Sequence, residues 1–564
     1  MKSFQLMTLA ASLLLYSIAC NNPSRISSKR DVQDMQLQKI TQNVPAPPSQ
    51  NALESEKIPD FTSPKITKEE EKNKLAAADS IKNNKDFNTE DYDHIIENKF
   101  LSPVQNPLST FSIDVDEAAY SNVRRFIQNG SLPPAGAVRI EEMINYFDYE
   151  YPQPINDEPF SVNTEMAECP WNPQHRLIQI GLKGKEIPLT NLPAANLVFL
   201  IDVSGSMDEP NKLPLVKSSL KMLTDQLREN DKVAIVVYAG NAGLVLPSTS
   251  GYNKTKIKEA IDNLEAGGST AGGEGIKLAY KIARENFIKG GNNRIILSTD
   301  GDFNVGASSD DELVSLIEDE RKSGVYLSIL GFGMGNYKDN KMQQLADKGN
   351  GNHSYIDNMS EAKKVLVNEF GSTLFTIAKD VKIQIEFNPT HVQAYRLIGY
   401  ENRIMASEDF NDDKKDAGEL GSGHRVTALY EIIPVGVKDE FTSSVDSLKY
   451  QSNDKKIASN LSDEIMTIKL RYKKPDEETS KLITKTVNDK NIEFVNSSDN
   501  FRFSASVAEF GMLLRNSEYK EKASYQQVIN MAKQSKGNDS NGYRSEFIKL
   551  VETASSLTVA KNSR

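Results

Sequence analysis

The sequence predicts an α/β protein, in which a doubly wound, mostly parallel sheet is inserted between flanking α+β and β-sandwich regions, behind a disordered N-terminal tether. Apolar strands alternate with amphipathic helices from residue 196 to about 376, the pattern of a parallel sheet covered by helices. Strands with hydrophobic residues at every second position lie on both sides of that stretch, which is typical of antiparallel sheets with one wet face.

The size and charge of the chain limit what it can be. With 564 residues it is too long for one hydrophobic core and should divide into several domains. Its net charge of -11 argues against a nucleic-acid-binding protein, because phosphate contacts need clustered Lys and Arg.

The first 19 residues predict a targeting segment. Lys2 supplies a positive charge, residues 6–19 are apolar but short for a membrane span, and Cys20 follows directly. This resembles a bacterial lipoprotein signal, in which the cysteine becomes the lipidated first residue, although Ser17 stands where that pattern usually has Leu. The alternative is an ordinary cleaved signal peptide with an incidental cysteine.

Residues 20–87 predict a disordered tether, because they are rich in polar residues and Pro and poor in aromatic residues. As flexible coil, the segment would span roughly 45 Å and hold a folded body clear of a membrane surface. The only other cysteine, Cys169, has no disulfide partner once Cys20 is acylated, and two cysteines exclude a cysteine-based zinc site.

Residues 88–190 predict a small α+β region. Its elements are a strand over 111–115, helices over 117–128 and 140–147, and strands over 160–167 and 176–182. Asp116 stands where the N-cap of the first helix is expected.

Residues 191–377 predict the doubly wound domain. The predicted strands are 197–201, 233–238, 243–246, 294–298, 325–331 and 353–356. The predicted helices are 212–228, 254–264, 274–288, 310–323, 339–347 and 359–375.

Residues 378–560 predict antiparallel strands followed by helices. Period-two alternation covers 381–387, 426–432 and 466–472, and the chain reads as helical from residue 503 onward. We expect strands from both sides of the α/β domain to join in one β-sandwich, which makes that domain an insertion.

A cluster of oxygen-bearing side chains follows the strand over 197–201. Asp202, Ser204 and Ser206 can converge only if the chain turns sharply, which Gly205 permits. Two later loops, 267–270 and 299–302, are expected at the same sheet edge, where open α/β folds bind ligands. The three loops together predict a site for a hard cation.

These segments resemble the von Willebrand factor type A domain, a Rossmann-like fold, and its metal-ion-dependent adhesion site, D-x-S-x-S with a later Thr and Asp. The resemblance implies that Ser204 and Ser206 are direct ligands and that Asp202 acts mainly through water. It further implies that Thr270 is a direct or water-mediated ligand and that Asp300 is the second carboxylate. A vacant coordination position would accept a Glu or Asp from a partner protein.

Sparse oxygen ligands favour Mg²⁺, with Mn²⁺ or Ca²⁺ as alternatives. Asp208, Glu209 and Asp302 are interpreted as rim charges outside the motif. Two other interpretations stay open. In the first, Asp202 and Asp300 only cap helices and the serines form a turn. In the second, the site is correctly folded but the protein binds no metal there when it functions.

The resemblance extends to most of the chain beyond the tether. Residues 106–116 and 139–147 look like the N-terminal region of a bacterial von Willebrand factor A lipoprotein family. Residues 395–403 and 423–431 look like its C-terminal domain of unknown function.

Other chemistry is disfavoured by the sequence. Asp114 and Asp116 resemble a phosphotransferase D-x-D loop, but Ala118 stands at its fifth position. The glycine-rich residues 267–273 lack the Gly-Lys-Ser/Thr ending of a phosphate loop, so no nucleotide is expected. The five histidines are scattered, and neither serine lies in a G-x-S-x-G elbow.

The preferred hypothesis is therefore a membrane-tethered, metal-dependent protein-binding module of the adhesion type and not an enzyme. It would be lipid-anchored in the cell envelope, facing the periplasm or the cell exterior, with an unknown protein partner. The alternatives are a hydrolase that uses the same cation to activate water and a structural envelope lipoprotein with a vestigial site.

Overall fold

Three β-sheets and their helices make up the computed structural model, which describes residues 89–268, 272–301, 310–369, 375–441, 463–490 and 492–562. The predicted signal segment, Cys20 and the tether lie outside these residues. Asn84–Arg564 forms one compact unit.

The elements are numbered in chain order. The strands are β1 Leu108–Ser112, β2 Phe160–Glu168, β3 Arg176–Gly184, β4 Ala195–Asp202, β5 Lys232–Tyr238, β6 Ala242–Ser250, β7 Asn292–Thr299, β8 Val325–Gly331, β9 His353–Tyr355, β10 Thr376–Phe387, β11 Val392–Ile398, β12 Gly418–Gly421, β13 Arg425–Pro434, β14 Glu464–Lys473 and β15 Lys481–Asn488. The α-helices are α1 Ala118–Gln128, α2 Ile140–Asn145, α3 Leu213–Gln226, α4 Lys254–Asp262, α5 Gly272–Glu285, α6 Asp310–Lys322, α7 Asp339–Lys348, α8 Met359–Lys363, α9 Asp499–Arg515, α10 Tyr525–Gln534 and α11 Tyr543–Asn562.

The central sheet has six strands in the order β6-β5-β4-β7-β8-β9, and β6 is its antiparallel strand. Every residue of β4 and of β7 is buried, as expected for strands that are covered on both faces. Helices pack on each face and enclose two separate hydrophobic layers. The predicted doubly wound, mostly parallel sheet is thus confirmed.

The flanking strands form two antiparallel sheets that enclose a common core. One sheet has the order β1-β10-β14-β15, with β12 beside β10, and the other has the order β11-β13-β3-β2. Strand β1 precedes the central sheet in sequence and pairs with β10, which follows it; β3 and β13 are related in the same way. The expected sandwich of strands from both sides is therefore present, and the α/β domain is inserted into it.

The two ends of the insertion lie close together. A Cβ atom placed on Gly184, at the end of β3, would lie 3.0 Å from Cδ1 of Ile377, at the start of β10. The chain can therefore leave the sandwich, form the α/β domain and return at almost the same point.

A helical layer covers the outer face of the four-stranded sheet. Helices α1, α2, α9, α10 and α11 share one hydrophobic core with the buried Trp171, and Leu177 of β3 and Leu429 of β13 reach this core from the sheet. No helix in the described part of the chain is long and apolar enough to cross a membrane.

The end of the α/β domain differs from the prediction of one helix over 359–375. Helix α8 gives way to a π-helical turn over Lys364–Asn368, and residues 370–374 are not described. The ammonium of Lys364 is buried and lies between the carboxylates of Glu117 and Glu369. The spacing of apolar residues could not predict this turn, because ion pairs hold it.

The expected N-cap role of Asp116 is wrong. Glu117 occupies the N-cap position of α1 and makes no side-chain cap hydrogen bond. Asp116 is buried, accepts a hydrogen bond from the backbone N–H of His353 at 2.8 Å and pairs with Arg403 at 3.3 Å. Its contacts are tertiary, which a local capping pattern does not predict.

Candidate metal centre

The candidate site lies where the strand order of the central sheet reverses. Strands β4 and β7 are parallel neighbours in register, with Ile201 opposite Ser298. The connections from β4 lead to one side of the sheet and those from β7 to the other, and ligands of open α/β sheets bind in the crevice at this switch point. Asp202 ends β4 and Asp300 follows β7, so the sheet brings the two carboxylates to the same edge.

The carboxylate of Asp202 is fully buried and held by three hydrogen bonds. Its Oδ1 accepts from the backbone N–H of Ser204 at 2.9 Å, and its Oδ2 accepts from the hydroxyls of Tyr238 at 3.1 Å and Thr299 at 3.3 Å. Burial raises the pKa of this carboxyl to about 6, and the charge of Asp300 adds to the rise. A cation beside Asp202 would oppose both effects.

The two motif serines converge, as expected from the turn at Gly205. Their Oγ atoms lie 3.1 Å apart. Ser204 is buried and Ser206 is exposed, so the pair reaches from the site interior to the surface. Adjacent ligands of an octahedral Mg²⁺ at about 2.1 Å from the ion are about 3.0 Å apart. The two hydroxyls therefore have a separation that suits neighbouring Mg²⁺ ligands.

The second loop is joined to the first by backbone hydrogen bonds. The N–H of Gly205 donates to the carbonyl of Gly268 at 3.0 Å, and the N–H of Gly267 donates to the carbonyl of Val203 at 2.7 Å. Gly268 has φ +87°, a conformation that favours glycine. Thr270, two residues further on, lies outside the described residues, so its role as a ligand stays a prediction.

Two residues that the sequence analysis missed hold Asp300. Its Oδ2 accepts from the ammonium of Lys212 and from the Nδ2 of Asn336, both at 3.1 Å. Lys212 is buried, and its methylenes pass so close to Gly333 that a Cβ there would lie 2.5 Å from Cε. The sequence contained one hint of this pairing. Lys212 begins the predicted helix that follows the D-x-S-x-S cluster, so it could have been expected near the acids of the site.

Tyr238 was also missed, although the sequence contains a hint of its position. A Cβ on Gly275 would lie 2.8 Å from Cβ of Tyr238, so glycine lets α5 pack closely against the end of β5. This packing buries Tyr238, whose hydroxyl reaches Asp202. Gly275, inside α5, thus serves close helix-to-strand packing.

The remaining polar candidates lie apart from the convergent set. Asp208 and Glu209 are exposed, as expected for rim charges, and Asp302 lies outside the described residues. Cys169 is buried, and burial raises the pKa of its thiol well above the usual value. Both carboxylates of the D-x-D segment, Asp114 and Asp116, pair with Arg403.

The donor set has the chemistry of a site for a hard divalent cation. Two carboxylates supply negative charge and two hydroxyls add neutral oxygen ligands, a combination that suits Mg²⁺. The described residues contain no group of three or more His, Cys, Asp or Glu side chains placed to hold a metal. The set is of a different kind, because half of its side chains are serines. Of the five predicted ligands, the structure brings together Asp202, Ser204 and Ser206, with Asp300 directly after the neighbouring strand.

Comparison with protein families gives three matches along the chain. They are described as "von Willebrand factor" over residues 86–179, "von Willebrand factor type A domain" over residues 196–369, and "Uncharacterized protein YfbK, C-terminal" over residues 372–557. The middle match contains the candidate metal centre, and the other two contain the sandwich and the helical layer.

Individual relatives agree with these matches. The uncharacterized protein YfbK of Escherichia coli is 46% identical over 480 residues, which cover 83% of this chain and 81% of that protein. The uncharacterized protein sll0103 of Synechocystis is 34% identical over 170 residues, 30% of this chain and 39% of that protein. Among solved structures, a von Willebrand factor type A protein from Catenulispora acidiphila is 15% identical with a TM-score of 0.38, covering 68% of this chain and 89% of that one.

Proposed function

The chain belongs to the family of von Willebrand factor type A proteins that includes YfbK of Escherichia coli, and from that premise we propose that its candidate centre binds Mg²⁺ and presents it to a partner protein. A von Willebrand factor type A domain fits a protein-interaction module. The bound ion would supply a vacant coordination position for an Asp or Glu side chain of the partner. Mn²⁺ and Ca²⁺ are the alternative ions.

One observation carries the proposal: a buried carboxylate with a raised pKa stands next to two converging hydroxyls, one of which is exposed. Asp202 would provide negative charge behind the ion and fix the turn through the N–H of Ser204. Ser204 and Ser206 would provide neutral oxygens, with Ser206 on the side that faces solvent. Tyr238 and Thr299 orient Asp202, and Asn336 orients Asp300.

Calorimetric titration of Mg²⁺, Mn²⁺ and Ca²⁺ into the wild type, Asp202→Ala and Asp208→Ala tests the metal centre. We expect binding by the wild type, loss of binding in Asp202→Ala, and little change in Asp208→Ala, because Asp208 is an exposed acid outside the motif. Absence of binding by the wild type, or equal effects of the two substitutions, would contradict the proposed metal centre.

A pull-down from envelope extract, with and without chelator, tests the adhesion role. We expect a partner that is released by chelator and is not captured by Asp202→Ala. If every captured protein is insensitive to chelator, the metal does not mediate binding, and the structural-lipoprotein alternative is favoured.

We propose no catalytic step at the centre. Activation of water for hydrolysis requires a positioned general base. Of the rim acids beside the motif, Asp208 and Glu209 are exposed, and Asp302 lies outside the described residues. Mg²⁺-dependent cleavage of ester or peptide substrates that is lost in Asp202→Ala would favour the hydrolase alternative.

We further propose that Cys20 is lipidated and anchors the protein in the cell envelope. The apolar stretch before Cys20 and the polar tether after it support this location. Detergent phase partitioning of the full chain and of Cys20→Ser, followed by mass spectrometry of the N-terminal peptide, tests it. The wild type should enter the detergent phase and Cys20→Ser should not; partitioning of both into the aqueous phase would contradict lipidation.

A further inference from the structure

A second polar site lies at the junction between the α/β domain and the sandwich. A cavity of about 500 Å³ is lined by residues of β7, of the turn after α7 and of β12. Arg294, near the start of β7, reaches it, whereas Asp300 follows the opposite end of the same strand. At 3.3 Å per residue, the two positions are about 20 Å apart. The cavity is therefore distinct from the candidate metal centre.

Arg294 is a buried cation without a carboxylate partner among the described residues. Arg294 is only 2% exposed. Its Nη1 donates to the hydroxyl of Ser328 at 2.6 Å, and its Nε has no hydrogen-bond partner among the described residues. The guanidinium lies 5.5 Å from the centre of the Tyr326 ring. Burial lowers the pKa of Arg294 to about 10, so the group keeps its charge at neutral pH. A buried charge is costly unless an opposite charge compensates it.

The other cations that line the cavity all have acidic partners. These pairs are Arg321 with Asp416, Lys348 with Glu318, Arg403 with Asp114 and Asp347, and Lys415 with Asp409. Arg294 is thus the lining cation that forms no ion pair with a described residue, although the charge of Glu419 acts on it from beyond ion-pair distance.

Glu419 of β12 has the complementary position on the acidic side. It lines the same cavity, its carboxyl accepts a hydrogen bond from Nδ2 of Asn350 at 3.5 Å, and none of the ion pairs between described residues includes it. Burial, with the nearby charges of Asp380 and Asp416, raises the pKa of this carboxyl well above its usual range. A positive group beside Glu419 would relieve this unfavourable environment.

We propose that this cavity binds a small zwitterion with one carboxylate and one ammonium group, such as a free amino acid or a dipeptide. The ligand carboxylate would pair with Arg294 and its ammonium with Glu419. The acids around the cavity disfavour a multiply charged anion such as phosphate. Because the lining comes from both β7 and β12, a bound ligand would bridge the inserted domain and the sandwich.

Calorimetric titration of the full chain in the presence of chelator tests this site separately from the metal centre. The probes are glycine, alanine and glycylglycine, with acetate, methylamine and inorganic phosphate as controls that carry charge of only one sign. We expect saturable binding of at least one zwitterion and at least about tenfold weaker binding of every control, because each control loses one charge-assisted contact. No binding of the zwitterions, or binding of acetate or phosphate with equal affinity, would overturn the proposal.

Variants of the two unpaired groups show whether they act on the ligand. Arg294→Met and Glu419→Gln should each weaken zwitterion binding by about tenfold or more. Lys322→Met is the control, because Lys322 is exposed, pairs with Asp319 and does not line the cavity.

The unfolding temperature of the ligand-free variants distinguishes a binding role from a structural one. Replacing a buried cation that forms no ion pair with an apolar side chain of similar length should leave the unfolding temperature unchanged or raise it. A large fall in Arg294→Met, with zwitterion affinity unaffected in Glu419→Gln, would assign Arg294 to the fold and overturn the proposal.

Discussion

Lys212 and a divalent cation would both place positive charge near Asp300. The ammonium lies 3.1 Å from Oδ2 of Asp300 and is buried with it. If Asp300 belongs to the metal centre, the fixed ammonium repels an incoming ion, because two positive charges would share one carboxylate. Lys212 would in that case set the metal affinity below the value that the oxygen ligands alone would give.

We expect Lys212→Met to bind Mg²⁺ about tenfold more tightly, since a repulsion of about 1.4 kcal/mol would be removed. Calorimetric titration measures the change. Lys221→Met is the matched control, because Lys221 lies on α3, which begins directly after Lys212, but pairs with the exposed Asp262. Weaker binding by Lys212→Met would mean that the lysine supports the site instead of competing with the ion.

His175 gives the folded protein a pH dependence of its own. Burial alone would lower the pKa of its imidazole, but this is outweighed by Glu431, 2.6 Å from Nδ1, and by Asp439, 2.9 Å from Nε2. The pKa of His175 in the folded state is therefore raised above its usual value. The imidazole links the chain directly before β3 to β13 and to the segment after β13.

A raised histidine pKa stabilises the fold at low pH. The contribution is fully present below the unfolded pKa of about 6.5 and is lost as the pH rises through the higher folded pKa. We expect urea denaturation of the wild type to show this loss from neutral towards alkaline pH, and His175→Gln to lack it. Replacement of the exposed His94 by Gln should preserve the wild-type profile. Identical profiles for His175→Gln and the wild type would exclude this role.

The loop after β7 contains a glycine that a larger residue could not replace without cost, for two reasons: its backbone conformation is left-handed, and there is no room for a Cβ atom. Gly301 has φ +93°, and a Cβ there would lie 2.7 Å from the backbone nitrogen of Lys338 and 2.8 Å from Cα of Tyr337. Gly290, before the same strand, has φ +71° but no atom within 4 Å of such a Cβ. Comparing substitutions at the two glycines therefore distinguishes the cost of backbone strain from the cost of steric overlap.

Gly290→Ala should lower the free energy of unfolding by about 1–2 kcal/mol, the cost of a left-handed conformation. Gly301→Ala should cost a further amount of about 1–3 kcal/mol, because backbone atoms must move to admit the methyl group. Chemical denaturation of the two variants measures the difference. Equal costs would show that the Gly301 loop can shift without penalty.

The spacing of apolar residues in the sequence was sufficient to predict the sheets, but not the polar contacts between elements. Strand β4 was predictable because a run of five apolar residues is too short for a typical helix and fits a strand that is covered on both faces. The convergence of Ser204 and Ser206 was predictable because the turn at Gly205 is local. Lys212 and Asn336 reach Asp300 from distant positions in the sequence. The lack of an ion pair at Arg294 can be recognised only in the folded structure. Such contacts depend on tertiary packing, which the spacing of residues along one sequence does not contain.

Arg124 connects three parts of the molecule that are far apart in sequence. From α1 its guanidinium reaches Asp357 at 2.5 Å and Glu361 at 2.7 Å, at the end of the α/β domain. It also reaches Glu546 of α11 at 2.9 Å. Arg124, Asp357 and Glu361 are nearly inaccessible to solvent, so the group is an internal link between the inserted domain and the helical layer.

We expect Arg124→Met to lower the free energy of unfolding by about 3–5 kcal/mol, because Asp357 and Glu361 would stay buried without their partner. Denaturant titration followed by circular dichroism measures this. Lys533→Met is the matched control: it breaks the exposed pair of Lys533 with Glu552 between α10 and α11 and should cost less than about 1 kcal/mol. A cost for Arg124→Met as small as that of the control would show that the three parts are held together by other contacts.

The insertion of the α/β domain into the sandwich has a consequence for the order in which the protein is made. Strand β1 emerges from the ribosome long before its partner β10, since Leu108 pairs with Glu386. At about 5–20 residues per second, the delay is roughly 15–60 s. During that time β1 and one edge of β3 have no partner, whereas the central sheet can be completed from consecutive residues. Synthesis that stops just short of β10 would therefore release a chain whose α/β domain can fold, carrying unpaired strands that are prone to aggregate.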